Sequence, residues 1–136
     1  MWAENKADGE KMEILALDHI VLCARNVAAT RDFYVRVLNL DAREERPGKW
    51  ALHFGDQKIS LQQSDNVPEI ARRTTPGTGN LCLLSETPVA DIVEELSHHG
   101  VSLVEGPVER IGAVGPILSV YFYDPDGTLV EIANRL

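Results

Sequence analysis

The sequence predicts an α+β fold: two tandem βαβββ modules forming one curved mixed sheet, a cup with its helices outside. Three observations predict it. Two amphipathic helical stretches are each entered from an apolar, strand-like run, DHIVLCARNV in the first half and GNLCLLSETPV in the second. Each half closes on another strand-like run, SLQQ and LVEI. The two copies are offset by roughly sixty residues, which marks one duplication and not a solenoid. Two such units joined edge to edge leave a concave face where a small molecule would bind.

The elements follow in order. Ile14 to Cys23 is apolar and strand-like. Asn26 can cap a helix over Val27 to Leu38, where Thr30, Phe33, Tyr34 and Val37 share one stripe, and Asn39 can end it. Arg43 to Gly48 is charged and breaks at Pro47-Gly48. Lys49–Phe54 and Lys58–Gln63 read as strands joined by a turn at Gly55-Asp56-Gln57. Residues 67 to 78 form a connector, with a helical turn expected over Val67 to Arg73. Asn80 to Leu84 is a strand. Thr87 is the expected cap of the next helix, with Pro88 at its first position; Val89, Ile92, Val93 and Leu96 form its apolar stripe and Gly100 its left-handed stop. Val101 to Val104 starts a strand that Glu105-Gly106-Pro107 breaks.

The last stretch, PILSVYFYDPDGTLVEIA, reads as a hairpin around a type I turn at Asp124-Pro125-Asp126-Gly127. A four-residue loop sets Val120 opposite Glu131 and Phe122 opposite Leu129, on one face. A carboxylate there must be paired, protonated or bound to a cation. Tyr121 and Tyr123 are expected to pack under a helix.

Composition bounds the function. The 136 residues suit one domain, with residues 1 to 13 a polar tail and 14 to 136 the folded unit: module one to about residue 66, module two from about 79. The formal net charge of -8, with no basic run, argues against nucleic acid and anionic membranes as partners. No run approaches the ~20 apolar residues of a membrane span. Cys23 and Cys82 sit in apolar runs and read as two buried free thiols in a reducing compartment, hence a cytoplasmic location.

The runs LDHIVLCARNVAATRDFYVRVLNL and YFYDPDGTLVEIAN, with ALHFGDQKISLQQ, NLCLLSETPVADIVEEL and GPVERIGAVGPILSVYF between them, resemble the vicinal oxygen chelate superfamily. That superfamily holds glyoxalase I, fosfomycin-resistance enzymes, extradiol dioxygenases and bleomycin-binding proteins, and the chain looks most like the glyoxalase-domain-containing-protein-5 group. The resemblance implies a divalent metal (Mn, Ni, Fe, Zn or Mg) held by the first and last strands of each module. By position these are His19, Gln62, Asn80 and Glu131, with Glu131 also the proton shuttle. His19 and Glu131 match the family pattern; Asn80 and Gln62 depart from it.

The implied activity is a lactoylglutathione lyase-like lyase or isomerase acting on a small vicinal-oxygen substrate, with a thiol co-substrate as an option. Thiol transfer and dioxygenation are lesser options, and a metal-free sequestering protein of the bleomycin-resistance type is the rival reading. Arg110 is a candidate clamp for an anionic substrate and His53 a candidate pocket residue. The plainer alternatives are a solvated Arg110, a hydrogen-bonded core His19, and amides of Gln62 and Asn80 that satisfy backbone groups. A homodimer is expected, because an open eight-stranded cup leaves strand edges to cover.

Overall fold

The computed structural model describes residues 16–66 and 74–136. Its first sheet holds β1 (His19–Ala24), β2 (Asp41–Arg46), β3 (Lys49–Phe54) and β4 (Gln57–Gln63) in the order β1-β4-β3-β2. Helix α1 (Val27–Leu38) follows β1. The second sheet repeats the plan with β5 (Asn80–Leu84), α2 (Val89–His98), β6 (Glu105–Ile111), β7 (Pro116–Tyr123) and β8 (Leu129–Arg135), in the order β5-β8-β7-β6. In both sheets the first and last strands pair parallel and the rest antiparallel. This is the tandem βαβββ architecture expected, with the strands in two four-stranded sheets and not one continuous ladder.

Helix α1 obeys its local signals. The Asn26 side chain accepts from the Ala29 N–H at 3.0 Å, and Asn39 turns left-handed at φ 55° to close the last turn. Thr30, Tyr34 and Val37 form its buried stripe. Helix α2 ends at Gly100 with φ 72°, as its sequence suggests. Its start differs. Pro88 occupies the N-cap position and no side chain of its own segment caps the helix. Asn134 does so from β8, accepting the Val89 N–H at 2.9 Å and donating to the Thr87 carbonyl at 2.8 Å. A tertiary contact thus replaces the expected Thr87 cap.

Two strands lie elsewhere than expected. The charged segment Asp41–Arg46 is a full edge strand, its side chains mostly exposed; charges on an edge deter pairing with other chains. The second module's second strand runs through the expected break as β6, with a register shift between Glu105 and Val108, while Val101 to Val104 is not strand. Ile14 and Leu15 of the first expected strand, and the helical turn expected over 67–73, lie outside the described residues.

One hydrophobic core joins the modules. It includes Leu22, Tyr34, Leu52 and Ile59 from the first, and Ile92, Leu96, Phe122 and Val130 from the second. The turn after β7 locks the two together. Asp124, only 6% exposed, accepts from the Tyr34 hydroxyl at 3.0 Å and from the backbone N–H groups of Asp126 and Thr128 at 2.8 and 2.9 Å. Asp126 accepts from the Thr30 hydroxyl at 3.0 Å and the Arg25 N–H at 3.1 Å. Burial and the Asp124 carboxylate raise the Tyr34 phenol far above its ordinary pKa, so it stays a donor. The DPDG acids therefore hold the architecture together.

Candidate functional site

The closing hairpin has a different register from the one its sequence suggests. The Asp124 N–H bonds the Thr128 carbonyl at 3.0 Å, so the loop has one residue more than a type I turn. Glu131 consequently faces Tyr121 across the ladder, and Val120 faces Ile132. A one-residue slip moves side chains to the opposite face. Val120, Phe122, Val130 and Ile132 enter the core, whereas Glu131, Tyr121 and Ser119 share the other face with Cys82, which pairs with Glu131 from β5. The expectation that Glu131 sits among core residues is corrected, as is the placement of Tyr121 and Tyr123 under a helix, since Tyr123 is 55% exposed on the same face.

Glu131 is anchored. The hydroxyl of Ser119, a fully buried residue, donates to its Oε2 at 2.5 Å. Burial and the adjacent Glu131 raise the Tyr121 phenol above its usual pKa, which keeps it protonated. Arg110 stacks on Tyr121 with its guanidinium 5.6 Å from the ring centre and pairs with Glu105 at 3.0 Å. That pairing raises the Arg110 pKa further. Glu131, Tyr121, Arg110 and Cys82 line a cavity of about 380 Å³, whose other wall is the Ile111–Gly115 turn and Ile117. Ile111 and Val114 stand 86% and 80% exposed at that wall. The site therefore offers a fixed carboxylate and a phenol beside an apolar surface.

Cys82 and Cys23 are not the buried thiols the sequence suggests: Cys82 is exposed and Cys23 half-buried, because both project from the face opposite the core. Burial of the sulfur and the neighbouring Glu131 nonetheless push the Cys82 thiol up to about 11. Removing the carboxylate's charge takes away the second of those causes. In Glu131→Gln the Cys82 pKa falls, and alkylation by iodoacetamide at pH 8 accelerates about threefold or more, because a larger fraction of the thiol is ionised. Peptide mass spectrometry distinguishes Cys82 from Cys23; an unchanged Cys82 rate means the two groups are uncoupled.

The other expected site residues fall in separate places. His19 and Asn80 line a cleft of about 310 Å³ between β1 and β5, and Cys82 is common to that cleft and the Glu131 cavity. The His19 Nδ1 lies 2.8 Å from Asp18. Gln62 is buried, but its Oε1 accepts from the Lys49 ammonium at 3.3 Å and its Nε2 donates to the Asn66 carbonyl. His53 pairs with Glu45 at 3.0 Å, and Lys58 bonds the same carboxylate at 2.8 Å. These bonds, the Lys58 one foremost, hold the Glu45 pKa below its ordinary value.

The implied metal can be tested against this donor set. Among the described residues no three His, Cys, Asp or Glu side chains cluster so as to hold an ion. One of the four implied ligands, Gln62, presents its oxygen to an ammonium, which repels a cation. The donors of one chain do not fit a four-ligand centre.

Sequence reasoning missed Ser119 and Cys82 and misplaced Tyr121. The signal that could have found Ser119 and Tyr121 is the parity of Ser119, Tyr121 and Tyr123 along β7, once the loop is given five residues; Cys82 follows from its alternation with Leu81 and Leu83 on β5.

Comparisons with known proteins bear on the family and the fold. A family model described as the Glyoxalase/Bleomycin resistance protein/Dioxygenase superfamily matches residues 16–132. The chain is 45% identical over 125 residues to the virulence protein STM3117 of Salmonella typhimurium, covering 91% of this chain and 87% of that one. The crystal structure of that protein superposes with a TM-score of 0.89 at 44% identity, over 92% of this chain and 100% of that one. The glyoxalase domain-containing protein RDO1 of Mycosarcoma maydis is 41% identical over 125 residues, 91% of this chain and 70% of its own. At the level of fold alone, the chain resembles a lactoylglutathione lyase from Agrobacterium tumefaciens (TM-score 0.69, 23% identity, 88% and 92% covered). It likewise resembles TnmS3, an antibiotic binding protein from Streptomyces sp. CB03234 (TM-score 0.73, 21% identity, 93% and 100% covered).

Proposed function

Since the chain belongs to the glyoxalase/bleomycin resistance protein/dioxygenase superfamily, we propose that it is a lyase or isomerase of the glyoxalase type, working at Glu131 on a small substrate with two neighbouring oxygens. One observation carries this reading: a carboxylate held by the Ser119 hydroxyl lines an open cavity with a protonated phenol beside it. Glu131 takes a proton from the carbon next to a substrate carbonyl and returns it to the neighbouring carbon. Tyr121 donates to the oxygen on which charge develops. Ser119 fixes the carboxylate, and the turn at Ile111–Gly115 gives the substrate an apolar surface to lie against.

A metal-dependent form of this chemistry requires His19, Gln62, Asn80 and Glu131 to converge; His19 and Asn80 already share a cleft, and a second copy of the chain is the proposed means of completing the set. The face that carries these groups also leaves Val21, Leu84 and Tyr123 more than half exposed, which favours a covering partner. A second reading, sequestration without catalysis, is favoured by the Lys49–Gln62 bond and the separated donors.

One experiment separates them. Purified protein is assayed for metal content and oligomeric state, then offered a 2-oxoaldehyde–thiol adduct with and without added Mn²⁺, Ni²⁺ or Zn²⁺. Turnover that Glu131→Gln abolishes supports the lyase. Tight binding of the adduct without turnover under every condition overturns it in favour of sequestration.

A further inference from the structure

We infer that the chain has a second small-molecule site, for an apolar amine, in a cavity between its two modules. The cavity measures about 530 Å³, within the range of ligand pockets. It lies where the C-terminal end of α1, the β3–β4 turn, β5 and α2 meet, and Glu131 is not among its lining residues. Leu40, Phe54, Leu83 and Leu96 give it apolar walls from both modules.

Its polar groups select the ligand. Glu95 is the one charged side chain lining it, and no Lys or Arg does so among the described residues. A carboxylate or phosphate ligand would meet an uncompensated negative charge, on a chain whose formal net charge is already -8. An ammonium on a hydrocarbon body meets the opposite: apolar surface for its chain and a carboxylate for its head. Thr87 and Asn39 supply further oxygens at the same cavity. Cys82 and Leu84 line both this cavity and the one at Glu131, but Glu95 lines this one alone, so the proposal does not rest on the activity assigned to Glu131. Because ligand contacts would bridge the modules, occupancy stabilises the whole fold.

The test uses n-octylamine, with 1-octanol and octanoate as controls, in calorimetry and thermal unfolding of the full chain. Octylamine is expected to bind one per chain and to raise the melting temperature, octanol to bind more weakly and octanoate not to bind. Glu95→Gln should weaken octylamine at least fivefold and leave octanol unchanged. Glu94→Gln, its exposed neighbour outside the cavity, should leave both unchanged. Thr87→Trp, at an exposed position on the rim, should block octylamine and octanol alike. Equal loss in Glu94→Gln would mean general attraction to an acidic surface and overturn the proposal. So would loss in Glu131→Gln, which would put the amine in the other cavity, or binding undiminished in both Glu95→Gln and Thr87→Trp.

Discussion

Replacing Asp124 by alanine lowers the stability of the chain by about 3 kcal/mol, the cost of stripping a buried acceptor from several donors. Three donors lose their partner together: the Tyr34 hydroxyl and the backbone N–H groups of Asp126 and Thr128. Tyr34 is fully buried, so its hydroxyl cannot turn to water instead. For a chain of this size that free energy corresponds to a fall of roughly 10 °C in Tm.

Asp124→Asn costs less, since its carbonyl oxygen still accepts from the turn. Tyr34→Phe costs about 1–2 kcal/mol, because it removes a single donor and leaves the carboxylate two others. The Tyr34→Phe, Asp124→Ala double variant falls short of the sum of its parts, because both remove the same bond. Urea and thermal unfolding of the parent and the four variants check this. An Asp124→Ala variant within about 0.5 kcal/mol of the parent would mean the turn does not hold the modules together.

The same residues mark the line between what sequence reveals and what it leaves hidden. The caps at Asn26 and Asn39 and the stop at Gly100 were legible because each acts within a few residues of its own helix. The duplication was legible because both modules bury the same kind of stripe. Hairpin register was not, because it depends on whether Thr128 belongs to the loop or to the strand. Asp124 settles that by bonding the Thr128 N–H, a choice that composition does not announce. From this one residue follow the changed neighbours of Glu131, the exposure of Tyr121 to the cavity and the part played by Ser119.

The Asn134 cap on α2 was hidden for another reason: its partners lie 45 and 47 positions away. Asp41–Arg46 escaped notice as a strand because an exposed edge needs no apolar alternation. His19 and Glu131 stood out as polar residues in apolar strands, and their projection away from the core agrees with that. Which donors meet depends on how sheets, or whole chains, dock, and no local pattern encodes it.

Glu131 can be tested alone. Glu131→Gln keeps the shape of the side chain and an oxygen that can accept from Ser119, but it removes the base. Under the lyase reading, turnover falls about 10²- to 10⁴-fold, the usual worth of a positioned general base. Substrate affinity changes little, because the cavity walls remain.

Ser119→Ala acts through Glu131, so its effect is smaller, about tenfold, and lies in kcat more than in KM, since a freed carboxylate still reaches the substrate in a fraction of its rotamers. Ser119→Thr, which keeps the hydroxyl, restores most of that loss. Circular dichroism of each variant separates these effects from misfolding. Should Glu131→Gln retain activity within threefold of the parent, proton transfer belongs to another group. Under sequestration the pattern inverts: the parent shows no turnover, and Glu131→Gln loses affinity because the carboxylate is then a binding group alone.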